Sequence, residues 1–320
     1  MKGITIVENR NTKIPKIIHY CWFGNKQLSE MAKKCIASWK KQCPDYKIIE
    51  WNEENFDINC NTYVKEAYRE KKWAFVSDVA RLHALVNYGG IYMDTDVEVL
   101  KSLNVILNNE AIIGFECDSR IQTGFMACVK GHSVFNDFLH MYEQEKFINE
   151  DGSMNTITNV VRLTEICVNL GLKLNGEQQL VNGMTILPSE YLSPKNVETG
   201  KITVTDKTLC IHYFDGSWLS EEARVQMELE RKMRKFLPNS CVGYVAKCIS
   251  IMKVNGVSVV VKEVGKWIKK RIQNLQQKHR IRPVRIRKIQ DQRILTVQIH
   301  QIKIPKLQFP EIQDLFLWMM

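Results

Sequence analysis

The feature that most restricts this chain is a helical pattern that runs straight into an apolar strand. Across 74–88, Phe75, Val79, Leu82 and Val86 recur at helical spacing and make one apolar stripe. Gly89-Gly90 closes that pattern, because glycine accepts the left-handed backbone common at helix ends. IYMDTDV (91–97) then reads as a strand entered without a loop. A helix delivered directly to a strand is the repeating step of an α/β domain.

The same alternation extends over roughly the first 240 residues. IPKIIHYCWFG (14–24) reads as a buried strand, 46–52 as a second and AIIGFEC (111–117) as another, with short strands at 184–188 and 208–214. Helices are expected over 29–42, where Met31, Cys35, Ile36 and Trp39 share a face, near 132–143 and 157–170, and as a charged segment at 220–236. The expected fold is therefore α/β with a mostly parallel sheet.

Composition narrows the class. A chain of 320 residues with 45% hydrophobic and 25% charged side chains has ample material for a packed core and is not wholly disordered. No run supplies the roughly 20 apolar residues that span a bilayer. The opening MKGITIVENRNTKIPK lacks an apolar export signal, so no Sec-type export is expected. Ten cysteines lie scattered without C-x-x-C or zinc-like spacing, which fits a reduced, cytoplasmic compartment.

The formal net charge of +10 first suggests an anionic partner. It is unevenly placed. Residues 1–239 hold 29 basic and 31 acidic side chains, a net of −2, whereas 240–320 hold 16 and 4, a net of +12. Residues 240–279 read as a basic amphipathic helical segment with Val242, Val245, Ile249 and Met252 on one face. Such a segment suits an anionic membrane surface, or it packs on the catalytic domain as a helical subdomain. Nucleic acid is disfavoured, since the basic residues show neither a binding motif nor interleaved aromatics. Residues 280–320 turn to Ile, Gln, Arg and Pro without a core pattern, as a disordered tail or an altered reading frame would.

The chemistry centres on Asp94-Thr95-Asp96. In a strand, residues two apart share a face, so the two carboxylates converge. They repel one another unless a cation lies between them, and Mg²⁺ and Mn²⁺ prefer such oxygen ligands. Strand ends of an open α/β sheet are also where ligands bind. A solvated aspartate pair on a turn is the other reading, and D-x-D alone is common by chance.

The surrounding residues add specificity. Ser77-Asp78-x-x-Arg81-x-x-x-Leu85-x-x-x-Gly89-Gly90-x-Tyr92-x-Asp94-x-Asp96 resembles the signature of glycosyltransferase family 32. Pro15-Lys16-x-Ile18-His19-x-x-Trp22-x-Gly24 is similar to that family's opening strand, and His212-Tyr213-x-x-Gly216-Ser217-Trp218 to its closing motif. The resemblance covers about 14–220 and implies a GT-A fold with a Rossmann-like mixed sheet over a 1–239 catalytic domain. It also implies a nucleotide-sugar donor such as a UDP-hexose, a divalent cation (Mn²⁺ or Mg²⁺), and retention of anomeric configuration.

By that resemblance Asp96 is a direct metal ligand, Asp94 bridges metal or ribose, and His212 is the third protein ligand, with Asp215 a poorer candidate. Asp78 and Arg81 meet the donor sugar's hydroxyls and the diphosphate; a local i,i+3 ion pair is their other reading, and both can hold. Trp22 and Trp218 are walls for the base and diphosphate, Ser217 contributes to donor binding, and His19 is structural. Gln122-Thr123-Gly124-Phe125-Met126 falls where related enzymes place an acceptor-facing loop. No catalytic base is assigned, because the departing phosphate can accept the acceptor's proton; Glu116 and Asp118 are testable.

The acceptor class implied is a glycan or lipid-linked oligosaccharide in surface or capsular polysaccharide synthesis, at the inner face of the cytoplasmic membrane. Two other classes compete. One is a non-catalytic basic binding protein with a decayed transferase domain. The other is a metal-dependent nucleotidyl- or phosphotransferase, for which no Walker or kinase motif is present.

Overall fold

The computed structural model describes residues 12–216, 219–234 and 239–255. Its elements run β1 (Ile17–Cys21), α1 (Glu30–Gln42), β2 (Lys47–Trp51), α2 (Thr62–Arg69), α3 (Trp73–Tyr88), β3 (Gly90–Met93), β4 (Val97–Val99), β5 (Ala111–Cys117), β6 (Arg120–Ile121), β7 (Phe125–Cys128), α4 (Ser133–Glu143), α5 (Asn159–Asn169), β8 (Gln179–Val181), β9 (Met184–Leu187), α6 (Ser189–Leu192), β10 (Cys210–His212), α7 (Glu221–Met233) and α8 (Asn239–Asn255).

The main sheet has the order β2-β1-β3-β7-β5-β9-β8, with β6 hydrogen-bonded to β5. β2, β1 and β3 are parallel, and β5 is parallel to β9. β7 runs antiparallel between β3 and β5, and β8 runs antiparallel beside β9. The α/β expectation holds, and the sheet is mixed rather than mostly parallel. The reversals have local causes. Asn182-Gly183 joins β8 to β9 with both residues at positive φ (45° and 81°), the conformation a two-residue hairpin demands. Between β5 and β7 the chain turns back through β6 and the short Gln122-Thr123-Gly124 link.

Alternation along β3 builds both faces of the core. Ile91 and Met93 join one cluster with Ile18, Trp39, Phe125 and Leu192, while Tyr92 joins the other with Phe75, Leu82, Phe115 and Phe138. Helix α1 therefore covers one face, and α2 to α5 cover the other. The Trp39 indole on α1 donates to the Val97 carbonyl at 2.7 Å, which fixes the start of β4 beneath the helix. At the C-terminal end of the described chain, α7 packs against α8, where Val242, Val245 and Ala246 are buried and Ile249 and Met252 are half-buried. No helix among the described residues is long and apolar enough to cross a membrane.

The passage from α3 to β3 depends on its two glycines. Gly89 has φ +65° and Gly90 has φ +101°. A Cβ on Gly90 would lie 2.6 Å from the Ile17 carbonyl oxygen, so β1 could not approach β3. The predicted stop signal is thus also a packing requirement. His19 reinforces the same junction. Trp51 donates to its Nδ1 at 3.1 Å, leaving Nε2 to carry the proton and donate to the Gly89 carbonyl at 2.8 Å. Burial pushes its pKa down to about 4, which bears out a structural, neutral imidazole.

Two predictions follow from this junction. Gly90→Ala is expected to lower unfolding free energy by about 2–4 kcal/mol in urea, through left-handed strain plus the clash. Gly131→Ala shares the positive φ (+71°) but meets nothing within 4 Å, so its loss should be only about 1 kcal/mol. For His19, the folded value near 4 lies below the unfolded 6.5, so its contribution is complete above pH 6.5. As pH falls from 6.5 to 4 the unfolded chain takes up the proton first, and about 3 kcal/mol is lost. His19→Gln should flatten that part of the stability–pH curve, and equal slopes for both proteins would contradict the assignment.

Candidate active site

The D-x-D segment lies at the C-terminal edge of β3, but the chain has already left the strand. The expected strand over 91–97 is broken: β3 stops at Met93, Thr95 and Asp96 form a turn, and β4 begins at Val97. The Asp94 amide donates to the Gly124 carbonyl at 2.8 Å, and the Val97 amide closes the turn on the Asp94 carbonyl at 3.0 Å. The carboxylates converge through turn geometry and not through strand alternation. β4 then pairs with β10 away from the main sheet, with His212 opposite Val97.

That pairing brings His212 to the aspartates. Asp94, Asp96 and His212 each offer a ligand atom, and the three atoms lie within 4.8 Å of one another. His212 Nε2 is 3.3 Å from Asp96 Oδ1. Burial opposes charge on both, yet the ring holds the Asp96 carboxyl below its ordinary range, and Asp96 holds the imidazole above its own. His212 Nδ1 is buried without a hydrogen-bond partner. A Cβ on Gly124 would lie 2.7 Å from that nitrogen and 3.1 Å from Asp94 Oδ2, so only glycine leaves this space free. Two carboxylates and an imidazole form a donor set suited to Mn²⁺ or Mg²⁺, and these residues fit such an ion.

The negative side is balanced from α3. Arg81, 6% exposed, reaches Asp94 Oδ1 at 3.3 Å and Asp78 Oδ1 at 3.1 Å. Its remaining donors go to the carbonyls of Thr123 at 3.0 Å and Ser77 at 3.2 Å, and the guanidinium lies 4.5 Å from the Tyr92 ring centroid. Burial works against the arginine's charge, but Asp94, Tyr92 and Asp78 together hold its pKa above the usual value. Asp78 behaves differently. Burial outweighs the attraction of Arg81 and pushes its carboxyl up to about 6. The i,i+3 pair exists, and Arg81 is held charged more by Asp94 than by Asp78.

The other expected residues divide. Trp22 stands one residue past β1 at the same sheet edge, half-buried, with its indole donating to the Lys26 carbonyl at 2.5 Å. Ser217 and Trp218 lie outside the described residues. Asp215 contributes its backbone amide, which donates to Asp96 Oδ2 at 2.8 Å. Glu116 is a mostly buried carboxyl whose pKa burial raises, against the pull of Arg120 and His212. Asp118 meets Gly176, where an added Cβ would lie 2.4 Å from its Oδ1 (a distance measured to a position the glycine leaves empty). All five residues of Gln122–Met126 are buried beside the aspartates, where the Thr123 carbonyl accepts from Arg81 and the Gly124 carbonyl from the Asp94 amide.

Sequence reasoning passed over Tyr92, whose hydroxyl donates to Asp94 Oδ1 at 2.8 Å. The expected strand over 91–97 would set the two on one face, and the hydrogen bond forms although the strand ends at Met93. It also passed over Lys195, whose ammonium donates to the Tyr213 carbonyl next to His212. No local pattern announces that lysine.

Comparison with known proteins agrees with this geometry. Residues 29–113 match the family described as a glycosyltransferase sugar-binding region containing a DXD motif. The chain is 31% identical over 139 residues to inositol phosphoceramide mannosyltransferase 3 of Schizosaccharomyces pombe, covering 40% of this chain and 36% of that protein. It is 30% identical over 142 residues to mannosyl phosphorylinositol ceramide synthase CSH1 of Saccharomyces cerevisiae, covering 41% and 36%. The chain therefore spans 36% of the length of these relatives. A solved glycosyltransferase involved in glycosylation of the major capsid of PBCV-1 is similar at 13% identity with a TM-score of 0.36, covering 67% of this chain and 100% of that one. Asp78, Arg81, Asp94 and Asp96 all fall inside the matched residues 29–113.

Removing the fork-shaped cation should be costly even when its charge is kept. Arg81→Lys cannot satisfy two carboxylates and two carbonyls at once, so a loss of about 3–5 kcal/mol in denaturant unfolding is expected. A change of only a few tenths would mean that Arg81 is merely a local helix pair.

Proposed function

We propose that this family 32-like chain is a retaining, cation-dependent glycosyltransferase that moves a hexose from a nucleotide sugar, taken here as UDP-linked, to a glycan or lipid-linked acceptor. The observation that carries the reading is the convergence of Asp94, Asp96 and His212 within 4.8 Å, backed by the Asp78–Arg81 pair. Bound there, a divalent cation supplies Lewis-acid neutralisation of the charge on the leaving diphosphate. Arg81 holds Asp94 in place from beneath. Asp78, its carboxyl 9% exposed, serves as the acceptor for donor-sugar hydroxyls. The acceptor hydroxyl's proton passes to the departing phosphate, so no side chain is assigned as base.

The two fungal relatives are named for mannose transfer and for inositol-phosphoceramide lipids. Those names support a hexose donor and a lipid-borne acceptor for this chain, with nucleotide-linked mannose as the comparison donor. Surface or capsular polysaccharide synthesis at the cytoplasmic membrane face is the proposed setting. Its support is the net charge of +12 over 240–320, which favours anionic lipid.

Asp96→Asn is the cleanest test, because the amide keeps an oxygen for the Asp215 N–H while losing the charge. Loss of an outer-shell partner of a metal typically costs 10–100-fold, so loss of a direct ligand's charge should lower Mn²⁺ affinity and sugar transfer at least about 100-fold. Circular dichroism without metal should show the fold retained, with thermal stability lowered only by loss of the Asp96–His212 pair. Undiminished turnover in the variant overturns the site. Products decide the reaction class: a nucleoside diphosphate and an α/β configuration kept from donor to product support retention, whereas pyrophosphate release indicates nucleotidyl transfer.

A further inference from the structure

Two cations beside the proposed cation site form no close ion pair among the described residues. Lys195 follows α6, and Arg231 lies on α7; both are half-buried. Among the described residues neither forms an ion pair within 4.0 Å, unlike Arg81, Arg162, Lys34 and Lys207, which all do. Their hydrogen bonds go to neutral carbonyls. Lys195 donates to Tyr213, and Arg231 donates to Val197 at 3.1 Å and Phe214 at 3.5 Å.

Those carbonyls locate the two side chains. Tyr213 and Phe214 directly follow His212, and Asp96 holds the same turn by accepting from the Tyr213 amide at 2.9 Å and the Asp215 amide at 2.8 Å. Phe214 sits at φ +49°, uncommon for a bulky residue, with its ring tilted 34° to the His212 ring at a centroid distance of 4.0 Å. Lys195 and Arg231 thus approach the metal-side turn from two elements that are far apart in sequence.

We propose that Lys195 and Arg231 form the anion-binding half of this site and grip the diphosphate of the sugar donor opposite the cation. The inference rests on the glycosyltransferase reading and adds the residues that hold its leaving group. Charge balance motivates it. With Arg81 set against Asp78, the two remaining aspartates and a divalent cation sum to zero, so that cluster leaves a diphosphate uncompensated, while one ammonium and one guanidinium match its two negative charges. Ammonium and guanidinium are the side-chain groups suited to phosphate, and each retains unused N–H donors.

The electrostatics agree. Burial and then repulsion from Arg231 lower the Lys195 pKa, against attraction from Asp96 and Asp215. Burial likewise lowers that of Arg231, against a weaker attraction from Glu228 on the same helix. Two partly desolvated cations that repel each other are an unfavourable arrangement that an anion between them would relieve.

The test separates gripping an anion from merely bracing the turn. Full-length wild type, Lys195→Gln, Arg231→Gln and the double variant are titrated with inorganic pyrophosphate in the absence of metal, and separately with Mn²⁺ alone. Each single variant should bind pyrophosphate about 10–100-fold more weakly, the worth of a charge-assisted hydrogen bond, and the double variant more weakly still. Mn²⁺ affinity should stay within about twofold of wild type, since a turn-bracing role would displace His212 and move it. Lys195→Arg should recover most of the pyrophosphate binding. Equal pyrophosphate binding by wild type and variants, or none by wild type, overturns the proposal. Intact, variant-sensitive pyrophosphate binding in a chain that transfers no sugar would sink the glycosyltransferase reading and leave the anion site standing.

Discussion

The buried guanidinium of Arg81 is the constraint on which the rest of the site depends. Asp94 must be charged to serve a cation, yet it sits against an apolar sheet edge and within a few ångströms of Asp96. Arg81 makes that tolerable by meeting Asp94 at 3.3 Å on the side away from His212. The arginine in turn is affordable only because every donor direction finds an oxygen or an aromatic face. One of those oxygens belongs to Thr123 in the link before β7, so the antiparallel strand in the sheet is tied to the chemistry. Had β7 been absent, Arg81 would lose the Thr123 carbonyl and the Asp94 amide would lose that of Gly124.

This dependence explains which parts could be read from the residues. Helices α1, α3, α4 and α5 and strands β1, β2 and β5 were legible because each presents a long amphipathic stripe or an unbroken apolar run. Helix α2 was not, since Thr62–Arg69 is two turns long and its stripe of Tyr63, Val64 and Ala67 is too short to declare a period. Phe125–Cys128 is buried on both faces and lacks β-branched residues, so nothing in FMAC separates strand from loop. The β8–β9 hairpin did carry a signal, the Asn182-Gly183 pair, which was left unused.

The site divides along the same line. Asp94, Asp96, Arg81 and His212 were legible through their ordered motifs, and the structure brings them together. The reason given for carboxylate convergence was wrong in detail, because strand alternation assumes a continuous strand and the chain turns at Asp94. What preserves the outcome is the Val97 amide closing on Asp94 while Trp39 pins the Val97 carbonyl. Lys195 and Arg231 were invisible because a lone cation in a loop or on a charged helix has no pattern of its own. Only the crossing of β10, the segment after α6 and α7 at one turn makes them neighbours.

The distribution of charge takes on a different meaning once those neighbours are placed. A net of −2 over residues 1–239 offers no long-range attraction to the dianionic leaving group proposed above. Long-range field is not what such a site needs, since screening removes it beyond about 10 Å in ordinary salt. What matters is a cation within hydrogen-bonding reach that is not already spent on a carboxylate. Most lysines and arginines of the catalytic region lie at the surface or are paired, as Lys34 is with Glu98 and Arg162 with Glu145. Among the described residues Lys195 and Arg231 form no such close pair, and their hydrogen bonds go to the turn that follows His212. On the proposed reading, net charge says little about phosphate handling; the disposition of two side chains carries it, which leaves the +12 of 240–320 outside that account.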